Sequence, residues 1–124
     1  MYKLPHFKEN DIEAIISFMQ SYPFITLTAI LDNAPAATQI PVLVSVKNGH
    51  ITLRGHVMRN TDHHKAIEAN PNVLVLFTGP QCYVSASWYD ERGHGSTWNY
   101  MTVQAKGNPE FYTDEQTIEL LKEL

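Results

Sequence analysis

The sequence predicts a mainly β domain, a small antiparallel barrel with flanking helices. Three observations lead to this fold class. Six short segments have the alternation or apolar composition of strands, and turn residues such as Asn48-Gly49 separate them. Helical spacing occurs only near the start, near the end and once between strands. No internal repeat or linker divides the 124 residues, so we expect one domain spanning residues 1–124.

The six predicted strands are bounded by turns that contain glycine, proline or asparagine. Pro41 lies inside the second strand. Because proline cannot donate a ladder hydrogen bond, we expect that strand to be an edge or to carry a bulge there. Cys82 stands among apolar residues in the fifth strand and is predicted to be a buried small hydrophobe. The predicted strands span residues 24–31, 36–46, 51–57, 73–77, 82–88 and 98–106.

Three helices are predicted from capping residues and apolar spacing. The first ends at Pro23, and the second spans residues 62–69. The sequence ends within the third helix without a C-terminal cap signal, which predicts that this helix continues in a longer chain. The predicted N-caps are Asn10, Thr61 and Thr113, with Glu13 and Gln116 as capping-box partners of the first and third helices.

Composition and charge disfavour several function classes. The formal net charge of -4 and the pI of about 5.8 oppose the basic surface that nucleic-acid binding requires. No apolar stretch approaches the ~20 residues of a membrane helix. The first residues lack the basic-then-apolar pattern of a signal peptide, and a single cysteine cannot form an internal disulfide. We therefore expect a cytoplasmic protein with no membrane contact and no direct nucleic-acid contact.

The segment from Gly55 to Lys65 carries the strongest functional signal. It joins a strand to the start of the second helix, where unpaired N–H groups and the helix dipole favour an anion. Arg59 can grip two phosphate oxygens with its fork of donors, and Thr61 adds a hydroxyl. These residues outline a site for a phosphate monoester. In the alternative interpretation, Thr61 only caps the helix and Arg59 pairs with a surface acid, and Asp62 competes with any anion for the helix dipole.

Three histidines near this segment raise the question of a metal site. His63 and His64 are adjacent in a helix and cannot share one face, and no zinc-type spacing is present. We therefore predict no metal. His63 and Lys65 are expected to donate to the phosphate, and His56 to form a hydrogen bond at the strand end.

Aromatic residues cluster on and beside the fifth and sixth strands, where they can form core or one wall of a flat cofactor site. Ser85 and Ser87 lie nearby, but no histidine–acid pair is evident to activate either, and a nucleophile-elbow motif is absent. Hydrolase chemistry is therefore not indicated. The clustered aromatic residues are Tyr83, Trp88, Tyr89, Trp98 and Tyr100.

Several short motifs occur in order over nearly the whole chain. They are Met1-Tyr2 with Pro5 and Phe7, Ala37-Thr38-Gln39-Ile40-Pro41, Gly55-His56-x-x-Arg59, Leu76-Phe77-Thr78-Gly79-Pro80, Tyr83-Val84-Ser85-x-Ser87-Trp88-Tyr89 and Thr97-Trp98-Asn99-Tyr100. Together they resemble the PaiB family, described as negative transcriptional regulators of sporulation and protease genes. The resemblance implies an antiparallel, Greek-key FMN-binding split barrel, as in pyridoxamine-phosphate oxidases and flavin reductases. It also implies a homodimer with flavin mononucleotide (FMN) bound at the subunit interface.

The resemblance further implies which residues contact FMN. The isoalloxazine ring would lie along the second strand, and the phosphate at the segment after Gly55. Residues of the sixth strand would approach the flavin either from the same chain or from the partner subunit. The candidate FMN-binding residues are Thr38, Gln39, Ile40, Pro41, His56, Arg59, Asn60, Thr61, His63, Lys65, Trp98, Asn99 and Tyr100.

One motif departs from the family's pattern. Many members have Ala-Asn-Pro after the arginine, whereas Asn60-Thr61-Asp62 follows Arg59 here, so an acid replaces the first-turn proline. Three functions are compatible with these residues: an FMN-binding oxidoreductase, a regulator or sensor that acts through a partner without its own catalysis, and a dimeric scaffold without flavin. Haem binding is a related alternative, but no histidine is recognisable as an axial ligand. The sequence identifies no catalytic residue.

Overall fold

The computed structural model describes residues 4–124, so the Met1-Tyr2 motif lies outside the described residues. These residues form a five-stranded antiparallel sheet with three α-helices, which confirms the mainly β fold class. Among the described residues, no helix is both long enough and apolar enough to cross a membrane. The elements are α1 (Ile12–Ser21), β1 (Phe24–Leu31), β2 (Ala34–Lys47), β3 (His50–Gly55), α2 (Asp62–Ala69), β4 (Val73–Val84), β5 (Thr97–Gly107) and α3 (Asp114–Glu123).

The strands are arranged as a Greek key. Their order in the sheet is β3-β2-β1-β4-β5, so three consecutive hairpin strands are followed by a fourth that returns beside the first. The two hairpin turns have positive φ at Asp32 and Asn33 and at Asn48 and Gly49, the backbone of tight turns that match strand twist. The sheet ends at β3 and β5 and does not close, which confirms the split arrangement.

Strand β2 changes its partner halfway along. Ala34–Pro41 pairs with β1, and Val42–Lys47 pairs with β3. Within residues 4–124, the first half of β2 therefore has one edge that pairs with no strand. At the change of partner, β3 ends in Gly55, where an added Cβ would lie 3.0 Å from the Pro41 carbonyl oxygen. A side chain at this position would push the two strands apart, so glycine permits their close approach.

Both prolines of β2 lie on that free edge. The Val42 N–H donates to the Pro23 carbonyl at 3.0 Å, so it points towards β1. Since N–H groups alternate between the two sides of an antiparallel strand, the nitrogens of Pro35 and Pro41 point to the unpaired side. Neither proline removes a ladder hydrogen bond. The prediction that Pro41 marks an edge is confirmed.

The fourth and fifth predicted strands are one continuous strand, β4. The prediction of a break at Thr78-Gly79-Pro80 was wrong, because the chain passes through this segment as a bulge and keeps its pairing with β5. Packing explains the position of the glycine: an added Cβ on Gly79 would lie 2.6 Å from the ring of Phe18 on α1. The predicted strand over residues 82–88 was also too long, because β4 ends at Val84 and a short 3-10 turn follows.

Beyond the bulge, β4 and β5 form a two-stranded ribbon with both faces exposed, since β1 pairs with β4 only as far as Leu76. Cys82 lies in this ribbon and is exposed, so the prediction of a buried thiol was wrong. Its neighbour Tyr83 is exposed too, and Val84 is partly buried. The aromatic residues Tyr83, Trp98 and Tyr100 are about half exposed, at 48%, 54% and 52%.

The hydrophobic core lies between one face of the sheet and the helices α1 and α2. Alternate residues of β1 and β4 face it, and Met19 of α1 is almost completely buried. The cap of α1 is Asp11, whose side chain accepts a hydrogen bond from the Glu13 N–H, so the predicted cap at Asn10 was one residue early. The buried members of the core include Ile25, Ala66, Ile67, Val75 and Phe77.

Helix α3 is attached to the rest of the domain by ion pairs and by one buried leucine. The predicted capping box of Thr113 and Gln116 is present, and Leu120 is buried. Arg54 of β3 holds Glu123 with two hydrogen bonds of 3.1 and 2.6 Å. This pairing lowers the pKa of the Glu123 carboxyl, so its contribution is present at neutral pH and is lost as the pH falls through the lowered folded-state pKa.

Replacing the core residue Phe77 by alanine is expected to reduce the free energy of unfolding by about 3–5 kcal/mol, because the side chain is fully buried and its loss leaves a cavity. Phe7→Ala is the matched control, since Phe7 is 73% exposed and should change stability by less than about 0.5 kcal/mol. Urea denaturation at fixed protein concentration measures both. Equal effects would show that Phe77 is not part of the core.

Candidate functional site

An open cleft lies between the free edge of β2 and the segment that leads into α2. Its volume is about 600 Å³, within the range of small-molecule sites. The lining is largely apolar with a few polar groups at the helix end, a composition typical of cofactor sites. The cleft is lined by Ala36, Ala37, Thr38, Ile40, His56, Val57, Met58, Thr61, Asp62 and His63.

The β2 wall of the cleft offers both side chains and backbone groups. Thr38 and Ile40 pair with Leu27 and Ile25, which are buried, so their side chains lie on the core face. By the strand alternation described above, the N–H groups of Ala37 and Gln39 point to the unpaired edge. Between the two prolines of this edge, these are the N–H donors that a ligand beside β2 would meet.

The segment between β3 and α2 is shaped by a left-handed residue and a helix cap. Asn60 has φ of 64°, a conformation that asparagine adopts more readily than most residues. Thr61 follows as the predicted N-cap. Its hydroxyl donates to the Met58 carbonyl at 2.9 Å and accepts from the His64 N–H at 3.2 Å. Thr61 therefore fixes the turn and the helix start together.

The N-terminus of α2 faces the cleft. Because the first intrahelical bond is from the Lys65 N–H to the Thr61 carbonyl, the N–H groups of Asp62 and His63 have no acceptor within the helix. His63 is 7% exposed, and among the described residues neither of its ring nitrogens has a hydrogen-bond partner. Burial lowers the pKa of the His63 imidazole, which favours its neutral form.

Arg59 is held outside the cleft. Its guanidinium forms an ion pair with Asp114 in the first turn of α3, and both side chains are largely exposed. This is the pairing with a surface acid that the sequence left open as an alternative. An exposed pair of this kind contributes little to stability. The guanidinium can exchange Asp114 for another anion without uncovering any core.

The candidate residues from the sequence are brought together only in part. Thr38, Ile40, His56, Thr61 and His63 line one cleft. The side chains of Gln39 and Pro41 lie on the opposite face of the sheet, and Lys65 is exposed on α2 outside the lining. The predictions omitted Ala36, Ala37, Val57, Met58 and Asp62, although strand alternation groups Ala36 with Thr38 and Ile40.

Trp98, Asn99 and Tyr100 are far from the cleft of their own chain. Across the sheet, Thr38 of β2 pairs with Leu27 of β1, Leu27 pairs with Val75 of β4, and Val75 pairs with Ala105 of β5. Three strand spacings therefore separate Thr38 from Ala105, a distance of about 14 Å. Trp98 lies seven residues further along β5, about 23 Å at ~3.3 Å per residue. Trp98 instead contacts its own ribbon, where its indole N–H donates to Gln81 at 2.9 Å.

Comparison with known proteins gives one family and two curated relatives. The family model described as "Putative FMN-binding domain" matches residues 1–124. The chain is 33% identical over 121 residues to "Protease synthase and sporulation protein PAI 2" of Bacillus subtilis, covering 98% of this chain and 58% of that protein. It is 29% identical over 90 residues to "Uncharacterized protein YKL070W" of Saccharomyces cerevisiae, covering 68% of this chain and 53% of that protein. The chain thus spans little more than half the length of either relative.

Thr61→Ala is expected to reduce the free energy of unfolding by about 0.5–2 kcal/mol, because the hydroxyl that caps α2 is lost. Thr61→Ser keeps the hydroxyl and should cost only a few tenths of a kcal/mol, on the order of the difference between good caps. Urea denaturation of the two variants distinguishes the stabilisation by the capping hydroxyl from the stabilisation by the threonine methyl group. Serine and alanine variants of equal stability would contradict the capping role.

Proposed function

Because this chain belongs to the family of FMN-binding domains, we propose that it binds FMN in the cleft between β2 and α2 and that a second copy completes the site. The observation that supports this most directly is the cleft itself. A long apolar wall along the free edge of β2 ends at a helix N-terminus, so one end suits a planar ring and the other an anion.

The described residues fit the chemistry of FMN. A volume of about 600 Å³ accommodates a ligand of cofactor size, and the buried, unpartnered ring nitrogens of His63 are polar atoms that a ligand could satisfy. When bound, FMN supplies one- and two-electron redox chemistry, and the protein supplies orientation and electrostatics. In this proposal the N–H groups of Ala37 and Gln39, on the free edge of β2, face the ring edge.

The phosphate belongs at the start of α2. Thr61 and His63 line the cleft there, the unbonded first-turn N–H groups point outward, and Asn60 and Lys65 are their neighbours in sequence. In this proposal Arg59 also binds the phosphate, after its guanidinium releases Asp114. The carboxylate and the phosphate accept hydrogen bonds from the same guanidinium N–H groups. The carboxylate of Asp62 disfavours an anion here, and the Arg59 cation offsets that charge.

The second copy of the chain would cover the exposed aromatic ribbon. Trp98 and Tyr100 are about half exposed and cannot reach the cleft of their own chain, whereas those of a partner could. Exposed clusters of large apolar residues commonly mark protein interfaces. A homodimer would thus bury the ribbon and bring Trp98, Asn99 and Tyr100 to the flavin of the other subunit.

Two activities are compatible with FMN binding. We favour an FMN-dependent oxidoreductase, because flavin brings its own redox chemistry to a cleft that offers few other reactive groups. A regulator without its own catalysis is the second candidate. It is supported by the 33% sequence identity to PAI 2, whose name refers to sporulation and protease synthesis.

The charge and the cysteine content bear on how such a protein would act. The net charge of -4 favours regulation through a partner over direct DNA contact. The single cysteine suits a reducing cytoplasm.

The experiment that tests the proposal is an absorbance spectrum of the purified protein, followed by titration with FMN and with riboflavin, which lacks the phosphate. FMN binding that is much tighter than riboflavin binding is expected. Turnover of reduced nicotinamide by the loaded protein would support the oxidoreductase, and its absence the regulator. A protein that binds neither flavin would contradict the proposal.

Arg59→Ala is expected to weaken FMN binding by about 1.5–3 kcal/mol and to leave riboflavin binding unchanged, because a charge-assisted contact to the phosphate is lost. Asp114→Asn removes the competing carboxylate and should strengthen FMN binding. Fluorescence titration with both flavins measures these effects. Unchanged FMN affinity in Arg59→Ala would remove Arg59 from the site.

Trp98→Ala is expected to reduce dimerisation, FMN affinity or both, because the proposed interface loses its largest aromatic side chain. Trp88→Ala is the matched control, because it removes the same type of side chain from a position outside β5 that is 69% exposed. Light scattering coupled to size-exclusion chromatography reports the oligomeric state. A Trp98→Ala protein that remains dimeric with unaltered FMN binding would contradict the shared-site arrangement.

A further inference from the structure

His63 is the buried ionisable group of the cleft. It lies in the first turn of α2, lines the cleft and is 93% shielded from solvent, because its exposed fraction is 7%. Neither ring nitrogen has a hydrogen-bond partner among residues 4–124. A buried polar atom without a partner is costly, so such atoms in folded proteins usually serve a ligand, a water or catalysis.

The surroundings of His63 leave its charge state sensitive to a ligand. Helix α2 packs against β1 and β2, and the stretches Phe24–Leu31 and Ala34–Val46 contain no ionisable side chain. The ionisable groups beside His63 in the sequence are Asp62 and His64, and His56 is the other histidine of the cleft lining. His64 has partners of its own, with its ring 3.4 Å from the Glu68 carboxylate and against Phe111.

We propose that His63 binds the phosphate monoester end of the cleft's ligand as an imidazolium, so that ligand binding is coupled to the uptake of one proton by His63. The inference rests on the proposed function, because it takes the ligand to be a flavin phosphate. The proton comes from solvent and adds to the free ring nitrogen, after which a ring N–H donates to a phosphate oxygen. No covalent bond to the ligand forms or breaks.

The direction of the pH effect follows from linkage. In the free protein, burial lowers the pKa of His63 below its usual value near 6.5, so the ring is neutral at pH 7. A bound phosphate favours the charged ring and raises the pKa of His63 in the complex. Between these two pKa values the complex holds one more proton than the free protein. Affinity therefore rises as the pH falls through that window.

The test is titration of the full chain with FMN and with riboflavin at pH 6 and pH 8. FMN affinity of the unaltered protein should rise between three- and tenfold, as order-of-magnitude figures, from pH 8 to pH 6, because a single proton changes affinity by at most about tenfold per pH unit. Riboflavin affinity should not change. His63→Gln keeps an amide donor that does not titrate and should lose the rise, whereas the control His64→Gln should keep it.

Calorimetric titration in buffers of different ionisation enthalpy gives a second readout. Near neutral pH the unaltered protein should take up about half a proton more per FMN than His63→Gln does, within the linkage limit of about one proton. This comparison also removes the titration of the FMN phosphate itself, whose second pKa is about 6. If His63→Gln fails to fold, the inference is tested on the unaltered protein instead. Its proton uptake on binding FMN is then compared with its proton uptake on binding riboflavin.

The outcomes separate the two levels of the proposal. Absence of FMN binding at either pH overturns the proposed function and this inference with it. FMN binding with the same pH dependence in the unaltered protein and in His63→Gln overturns the inference alone. Equal proton uptake with FMN and riboflavin also overturns it, because the phosphate would then not be the group that charges His63.

Discussion

The change of partner within β2 is the constraint on which the rest of this fold depends. One strand pairs with β1 along Ala34–Pro41 and with β3 along Val42–Lys47, so the two ladders meet on β2. Gly55 allows β3 to approach β2 closely at that point. The same change of partner leaves one edge of Ala34–Pro41 without a strand partner among the described residues, and that free edge forms one wall of the cleft. The topology that folds the protein therefore also forms its candidate site.

The second wall of the cleft is the segment that leads into α2, and its residues combine structural contacts with groups that a ligand could use. Thr61 uses its hydroxyl to fix the turn and cap α2, while the helix end that it caps stays open to a ligand. His63 is buried at the cost of two unsatisfied ring nitrogens. Arg59 is engaged by an exposed carboxylate that it can exchange at little cost. Local order is thus maintained without a ligand, and the groups that could recognise one remain available.

Local patterns predicted most of the fold. Alternating apolar residues located β1, paired turn residues located both hairpins, and caps located the starts of α2 and α3. Each of these signals acts within a few residues of the chain. The errors came from packing over longer distances: Gly79 and Pro80 were interpreted as a break, but the chain continues through a bulge against Phe18. Cys82 was predicted to be buried because its neighbours are apolar, although no layer covers that ribbon.

The candidate site was predictable where it is continuous in sequence. Residues 56–58 and 61–63 line one cleft together with one face of β2, whereas Arg59 and Asn60 are not part of the lining. The contact between Arg59 and Asp114 joins residues 55 positions apart, and no local pattern reveals it. The place of Trp98 also depends on strand order, which puts it three strands from the cleft. The sequence therefore indicates which side chains could contribute to a site more reliably than which of them lie close together in the fold.

The bulge in β4 changes which positions of the strand share a face. Three residues advance from Thr78 to Gln81 while β5 advances by two, so the alternation of faces is reversed beyond that point. This reversal puts Tyr83 opposite Trp98, on the face away from Phe77. Loss of one residue between Thr78 and Gln81 would remove the bulge and leave Tyr83 opposite Trp98 in a regular ladder. The extra residue therefore places even-numbered positions before the bulge and odd-numbered positions after it on the same face of the strand.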